Sequence, residues 1–506
     1  MIVRGKYVLS EPGVVSGGVL TDAAIRVQGD RIVEVASFKT LRKRYENEEV
    51  IGNGEQLLMP GLIDGHSHGR GLSPLRGGLG YDQLEPWLLQ APSLPNPGPY
   101  LNALYSAIKH LRSGFTGMHY IHIPRLPLMK MERDMEEALA GLNASGIRIA
   151  FSVPIKDQNF FTYDDKAFSQ MLPTKLKKHL QELSPRKGED LQHSFVQLFS
   201  DFHGRHNSDA LKVLLAPAGP QWCSDELLLT VKDLALEHGT SIHLHTLQTI
   251  RQKVYGVRTY GKSIVEHLDD IGLLGPDLTL GHAVWLTASD IDLLAAAGTS
   301  VTHHAGCNLN MRNGIAPVDA YLRRGTRVAL GLDDKSFSED EDGFQEMRLI
   351  ALLHRVNTHE LGYKCLEPWD VLRMATDNAA QVTGFGGSCG RLVPGNFADV
   401  ILIDLERITT PWLASDVDIR EILVHCGLAR DVNTVIVGGS IVMKERELLT
   451  VNEPEVLAEF RTILAAQEGE SSSDSFWEDL KPYIHAFYRS WGLPETVPFY
   501  PFNSNQ

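Results

Sequence analysis

Eight short apolar runs, spread between residues 62 and 333 and separated by stretches of helical character, constrain this chain more than any other feature. They are Leu62-Ile-Asp-Gly-His66, Phe115-Thr-Gly-Met-His119, Arg148-Ile-Ala-Phe-Ser-Val153, Lys212-Val-Leu-Leu-Ala216, Ser241-Ile-His-Leu-His245, Leu278-Thr-Leu-Gly-His282, Ser300-Val-Thr-His-His304 and Arg327-Val-Ala-Leu-Gly-Leu-Asp333. Helical patterns such as Asp225–His238, Ser289–Ala297 and Gln345–Val356 lie between or after them. Strands that alternate with helices build a parallel sheet covered by helices, and eight such units close it into a (β/α)8 TIM barrel of the α/β class. Both flanks read differently. Tyr7-Val-Leu, Ala24-Ile-Arg-Val and Arg31-Ile-Val-Glu-Val precede the barrel, while Ala398–Asp404 and Val435–Met443, with a Gly438-Gly439 hairpin signal, follow it. Residues 1–58 and 388–450 are therefore expected to pair as one small β-sandwich domain around a barrel at 59–387. The charged stretch 158–208 reads as an insertion after the third strand, and 451–506 as a C-terminal helical extension whose Pro- and aromatic-rich tail docks on the barrel or makes a homodimer.

Composition excludes several partners. The 506 residues carry 48 Lys+Arg against 63 Asp+Glu, a net charge of −15 that repels phosphate backbones and argues against nucleic acid. No run of roughly 18 apolar residues exists to span a membrane, and no apolar leader opens the chain. Five scattered cysteines form neither a CxxC pair nor a disulfide framework, as expected of a cytoplasmic protein. A small molecule remains as the partner.

The chemistry gathers at the ends of the predicted strands. His66 and His68, two residues apart on the first strand, project from one face. His243 and His245 end the fifth strand, His282 the sixth and Asp333 the eighth. Neutral imidazoles and a carboxylate converging on the C-terminal mouth of a barrel can hold one cation and leave a position for water, which that cation acidifies. His282, close to this centre, need not be a ligand: from its neighbouring strand it can hydrogen-bond the hydroxide or steady the tetrahedral intermediate, since an imidazole both donates and accepts.

A set of ordered motifs adds to this reading. Met59-Pro-Gly-Leu-Ile-Asp-Gly-His-Ser-His68, Leu75-Arg-Gly-Gly, Glu85-Pro-Trp-Leu, Gly281-His-Ala-Val-Trp-Leu-Thr287, Cys307-Asn-Leu-Asn, Gly314-Ile-Ala-Pro317, Leu330-Gly-Leu-Asp-Asp334 and Arg391-Leu-Val-Pro-Gly-Asn-Phe-Ala-Asp-Val400 run in order along residues ~1–450. Together they resemble the aminohydrolase and chlorohydrolase branch of the amidohydrolase superfamily. The resemblance implies a mononuclear centre held by His66, His68, His245 and Asp333, with Zn favoured over Fe. It makes Asp333 the acceptor of the water's proton and His282 the residue that orients the nucleophile, and it puts His243 one layer deeper. The fourth strand ends in Leu214-Leu-Ala-Pro217, without the Lys that binuclear relatives carbamylate.

Departures from the pattern bear on the substrate. Ring-deaminating relatives commonly carry Glu three residues after the strand-five ligand, where this chain has Gln248. An amide hydrogen-bonds but cannot donate a proton as an acid does. The reaction expected is hydrolysis of a non-peptide carbon–nitrogen bond in a small polar or N-heterocyclic molecule, leaning toward amide, urea or ring opening. Deamination of a purine, pterin or triazine amine is the alternative, and a barrel that has lost catalysis the remaining one. Gln248, Trp87, Asn308, His304 and Arg70 are the expected substrate-binding residues, with Trp222 a further aromatic on the rim. Asp334, Asp340 and Glu341 suggest a cationic or donor-rich substrate, solvated acids being the plainer reading.

Overall fold

The computed structural model of the chain describes residues 1–123, 128–183, 191–333, 339–355, 360–468 and 475–495. The charged run 184–190, Asp334, most of the acidic segment before residue 475 and the tail beyond residue 495 lie outside the described residues.

The eight runs become eight strands of one parallel sheet: β1 (Leu62–Ser67), β2 (Phe115–Ile121), β3 (Arg148–Ile155), β4 (Leu211–Pro217), β5 (Ile242–Thr246), β6 (Leu278–His282), β7 (Ser300–His303) and β8 (Val328–Leu330), each paired with its neighbours in chain order. Past the end of β8, the amides of Leu332 and Asp333 donate to the His66 carbonyl at 3.1 and 2.9 Å, bringing the last strand back to the first. Ile63, Ala150, Leu214 and Ala329 meet Ala379, Ala380, Val382 and Phe385 in a buried apolar cluster, which plugs the N-terminal end of the barrel. Its upper interior is polar, with His66, His119, Ser152, His243 and Thr302 all buried.

Both flanks join in a second, mixed sheet of nine strands. Gln56–Pro60 sits in its middle, parallel to Ile2–Leu9 on one side and antiparallel to Val400–Asp404 on the other. Val432–Val437 turns back into Ser440–Lys444 through Gly438 and Gly439, whose φ values of 53° and 75° suit a tight hairpin that side chains with a Cβ adopt reluctantly.

The long connection between β3 and β4 differs from its sequence reading. Helices Asp165–Met171 and Thr174–Leu183 make the excursion, but Leu191–His206 belongs to the ring of barrel helices. Its Phe195, Phe199 and Phe202 form an i, i+4, i+7 stripe that is wholly buried, and Phe202 packs on Phe151 of β3 with ring centroids 5.2 Å apart. The charge of the surrounding segment hid that stripe. No helix among the described residues is long and apolar enough to cross a membrane.

An ion pair bolts the two sheets together. Arg148, opening β3, donates through Nη2 to Asp399 Oδ1 at 2.8 Å and through Nε to Oδ2, and both side chains are 4% exposed. The same Oδ1 accepts the Gly438 amide at 2.7 Å, and the guanidinium lies 3.8 Å above the Phe397 ring. Asp399→Ala would strand a buried guanidinium, so a stability loss of about 3–5 kcal/mol is expected in denaturant unfolding. A loss below about 1 kcal/mol would put the pair in the class of exposed bridges.

Candidate metal centre and active site

The end of β1 is fixed by Asp64. Its Oδ1 accepts the backbone amides of His66 at 3.0 Å and Leu332 at 3.1 Å, and its Oδ2 accepts from His110 Nε2 at 2.9 Å. One carboxylate thus ties the first histidine of the cluster to the backbone beside Asp333. Burial pushes the Asp64 carboxyl up to about 6, against the opposing pull of His110. For His110 burial works against protonation, but the contact with Asp64 outweighs it and the net shift is upward.

Above that bolt, His66 Nε2 and His68 Nε2 lie 3.4 and 3.2 Å from Asp333 Oδ1. The His245 ring stands 4.8 Å from that of His66 and stacks on His68 at 5.3 Å between centroids. His66, His68 and His245 offer ligand atoms within 4.8 Å of one another, as do His66, His282, His304 and Asp333. Metal–ligand bonds of roughly 2.0–2.1 Å put the donors of a tetrahedral site roughly 3.3–3.4 Å apart, the spacing seen around Asp333 Oδ1. His66 Nε2 is buried without a hydrogen-bond partner. Burial, reinforced by the neighbouring His243 and His245, holds its imidazole well below the usual histidine range despite Asp333. A neutral imidazole aimed at a carboxylate suits a cation between them, and the donor set fits one zinc ion.

The remaining predicted residues surround this point. His66 Nδ1 lies 2.7 Å from His243 Nε2, so the deeper histidine can fix the ring and tautomer of the upper one. His282 Nδ1 is 3.1 Å from both Asn308 Oδ1 and His304 Nδ1, while its Nε2 faces Asp333 Oδ2 at 3.7 Å. Since the Asn308 carbonyl only accepts, His282 carries its proton on Nδ1 and turns a lone pair toward Asp333. His304 Nε2 meets Thr302 Oγ1 at 2.9 Å, which engages both of its ring nitrogens with protein groups. Asp333 is therefore two-sided: Oδ1 toward the β1 histidines, Oδ2 toward His282 and, at 2.7 Å, the Cys307 thiol.

Backbone strain marks the same spot. His282 has φ 71° and Asp333 φ 54°, and the Ala283 amide returns to the Gly281 carbonyl at 3.0 Å in a three-residue turn. A side chain at residue 331 would put its Cβ 2.6 Å from His304 and 2.8 Å from His66, so only Gly331 lets the histidine layer close.

Trp87 is buried in a cluster with Leu84, Ala91, Cys307 and Met311, with Trp222 packed against it. This cluster forms an apolar wall that reaches the Asp333 carboxylate through Cys307. Arg70 stands 5.8 Å over the Trp87 ring. Gln248 is buried three residues beyond His245, its backbone N–H donating to Gln252 Oε1 at 2.7 Å. The acidic reading of the mouth needs correction at Glu341, which is buried and accepts from Lys109 Nζ at 3.0 Å. Its charge is neutralised within the protein and is not offered to a substrate. Sequence reasoning gave no role to Asp64, His110 or the contact of Cys307 with Asp333. Only the position of Asp64, two residues before His66, pointed toward the first.

Similarity to known proteins agrees with this geometry. The model of the amidohydrolase family matches residues 57–442. The 5'-deoxyadenosine deaminase of Methanosarcina mazei is 28% identical over 468 residues, covering 91% of this chain and 96% of that protein. The 5-methylthioadenosine/S-adenosylhomocysteine deaminase of Syntrophobacter fumaroxidans is 27% identical, covering 92% and 97%. Among solved structures, a zinc-bound adenosine deaminase from Xanthomonas campestris superposes with a TM-score of 0.74 at 23% identity, over 92% of this chain and 98% of that one. The zinc complex of atrazine chlorohydrolase from Arthrobacter aurescens also gives 0.74, at 20% identity, over 92% and 99%. Barrel, histidine cluster and family match lead to one conclusion: the chain belongs to the amidohydrolase family, as a metal-dependent hydrolase of carbon–nitrogen bonds other than peptide bonds.

Proposed function

We propose that the enzyme hydrolyses the bond between a ring carbon and its exocyclic nitrogen in a planar N-heterocycle, releasing ammonia. The observation that carries this reading is the two-sided Asp333, with His66 and His68 at one oxygen and His282 at the other, beside the Trp87 wall. In this reading His66, His68, His245 and Asp333 hold the cation, which when bound supplies Lewis acidity and a water acidified toward neutrality. Asp333 Oδ2 takes the proton of the attacking water and passes it to the leaving nitrogen. His282 Nε2 orients the water, with Asn308 and His304 keeping its proton on the far side. Trp87 offers an apolar surface to a planar ring, Gln248 a hydrogen bond to a ring atom, and Arg70 a cationic edge at the rim. Residues 59–387 carry the chemistry, and the flanking segments 1–58 and 388–450 support it.

The names of the relatives, deaminases of 5'-deoxyadenosine and of 5-methylthioadenosine or S-adenosylhomocysteine, support an adenine nucleoside as the ring amine. A second reading rests on Gln248. Without an acid at that position, opening of a cyclic amide or urea needs no ring protonation. A panel of adenine nucleosides, pterins, triazines, hydantoins and cyclic ureas, assayed for ammonia and for ring opening, separates the two. Ammonia from a ring amine is expected, and ring opening without ammonia would overturn the first reading in favour of the second.

A further inference from the structure

We propose that Glu85, Tyr163 and Gln252 form a buried hub that positions Gln248 for its substrate, and that the C-terminal helix Ser475–Arg489 completes the hub. The proposal rests on the preceding reading, in which Gln248 meets the heterocycle.

Four segments remote in sequence converge here. Glu85 lies on the short helix Leu84–Gln90 that also carries Trp87, and only 3% of it is exposed. Its Oε1 accepts from Thr249 Oγ1 at 2.6 Å and from Tyr163 Oη at 3.2 Å, and its Oε2 faces Arg251 Nη1 at 3.4 Å. Burial next to Glu85 holds the Tyr163 phenol well above its usual range, so it remains a donor. Tyr163 Oη in turn accepts from Gln252 Nε2 at 3.3 Å, and Gln252 Oε1 accepts from the backbone N–H of Gln248. That orients the Gln252 amide without ambiguity: its NH2 must face the phenol and its carbonyl the Gln248 backbone. Leu247, just before Gln248, has φ 52°, a conformation that a leucine keeps only when its surroundings enforce it.

The C-terminal helix reaches the same point from outside the barrel. Tyr488 Oη accepts the Tyr163 amide at 3.1 Å, and the two rings meet edge to face at 5.5 Å. Arg251 stands over Tyr488 at 5.5 Å and Arg258 over Trp491 at 4.8 Å. Both arginines belong to the helix Ile250–Tyr260, which follows Gln248. The extension thus presses on Tyr163 and on the turn after β5 together. Glu85 has both oxygens engaged by protein groups, so it acts as a positioning residue.

The test uses the metal-loaded full chain with Tyr163→Phe, Gln252→Ala, their double variant and Tyr488→Phe. Hydrogen exchange at the Gln248 amide reads the hub without any substrate, and steady-state kinetics on a ring amine reads its effect. Faster exchange in each single variant is expected, with KM raised about tenfold in the first two and kcat within about twofold, as suits loss of one buried hydrogen bond. The double variant should show about the same tenfold effect, because both changes cut one chain of contacts. Tyr488→Phe should raise KM about threefold, the weaker neighbour-through-neighbour effect. Unchanged exchange at Gln248, additive KM effects, or a fall confined to kcat would overturn the hub. An unmoved Tyr488→Phe would remove the C-terminal helix from it. If the wild type turned over no ring amine, the proposed function would fail, while exchange would still decide whether Tyr163 and Gln252 position Gln248.

Discussion

Asp333→Asn is expected to lower kcat/KM by about three to four orders of magnitude, the upper range for loss of a positioned proton acceptor. The substitution keeps the size of the side chain but leaves at most one oxygen for two duties. In the native protein Oδ1 faces His66 and His68, while Oδ2 faces His282 and Cys307. An asparagine oriented to serve the histidines presents an NH2 to His282, and the reverse orientation presents it to the cation. Either way the negative charge is gone. Steady-state kinetics at matched metal content checks this, and a loss of less than tenfold would remove Asp333 from the proton path.

The second large effect concerns the cation. Metal analysis is expected to give near one ion per chain, with His66→Ala and exhaustive chelation each abolishing turnover. Because the proposed ligands come from β1, the end of β5 and the turn after β8, an ion bound there would also clamp distant parts of the barrel. A ligand held at a thousand times its dissociation constant stabilises the folded state by about 4 kcal/mol, so the metal-free protein should melt at a visibly lower temperature. Two ions per chain, or turnover that survives chelation, would refute the mononuclear centre.

The barrel was legible because its strands are short apolar runs bounded by polar helical stretches, and the pattern needs no tertiary information. Leu278–His282 and the helix Asp225–His238 fall where the spacing puts them. Asp333 illustrates the limit of that reading. The eighth strand ends at Leu330, and Asp333 reaches the centre from a left-handed turn held by two amides on the His66 carbonyl. Partnerships across the fold left no trace in local sequence. His110 meets Asp64 from the helix Pro99–Arg112, and Glu341 is neutralised by Lys109 of the same helix. Nothing in the run of residues distinguishes those side chains from solvated ones. The stripe Phe195, Phe199, Phe202 was readable, but the charged composition around it outweighed its period.

The strand order of the flanking sheet has a consequence for biosynthesis. Gln56–Pro60 is synthesised early, yet its antiparallel neighbour Val400–Asp404 leaves the ribosome roughly 340 residues later. At roughly 5–20 residues per second, the nascent N-terminal arm presents an open hydrogen-bonding edge for tens of seconds. Until then the arm is exposed to association with other chains, so cellular yield should depend on chaperone capacity and on translation speed across the barrel-encoding region.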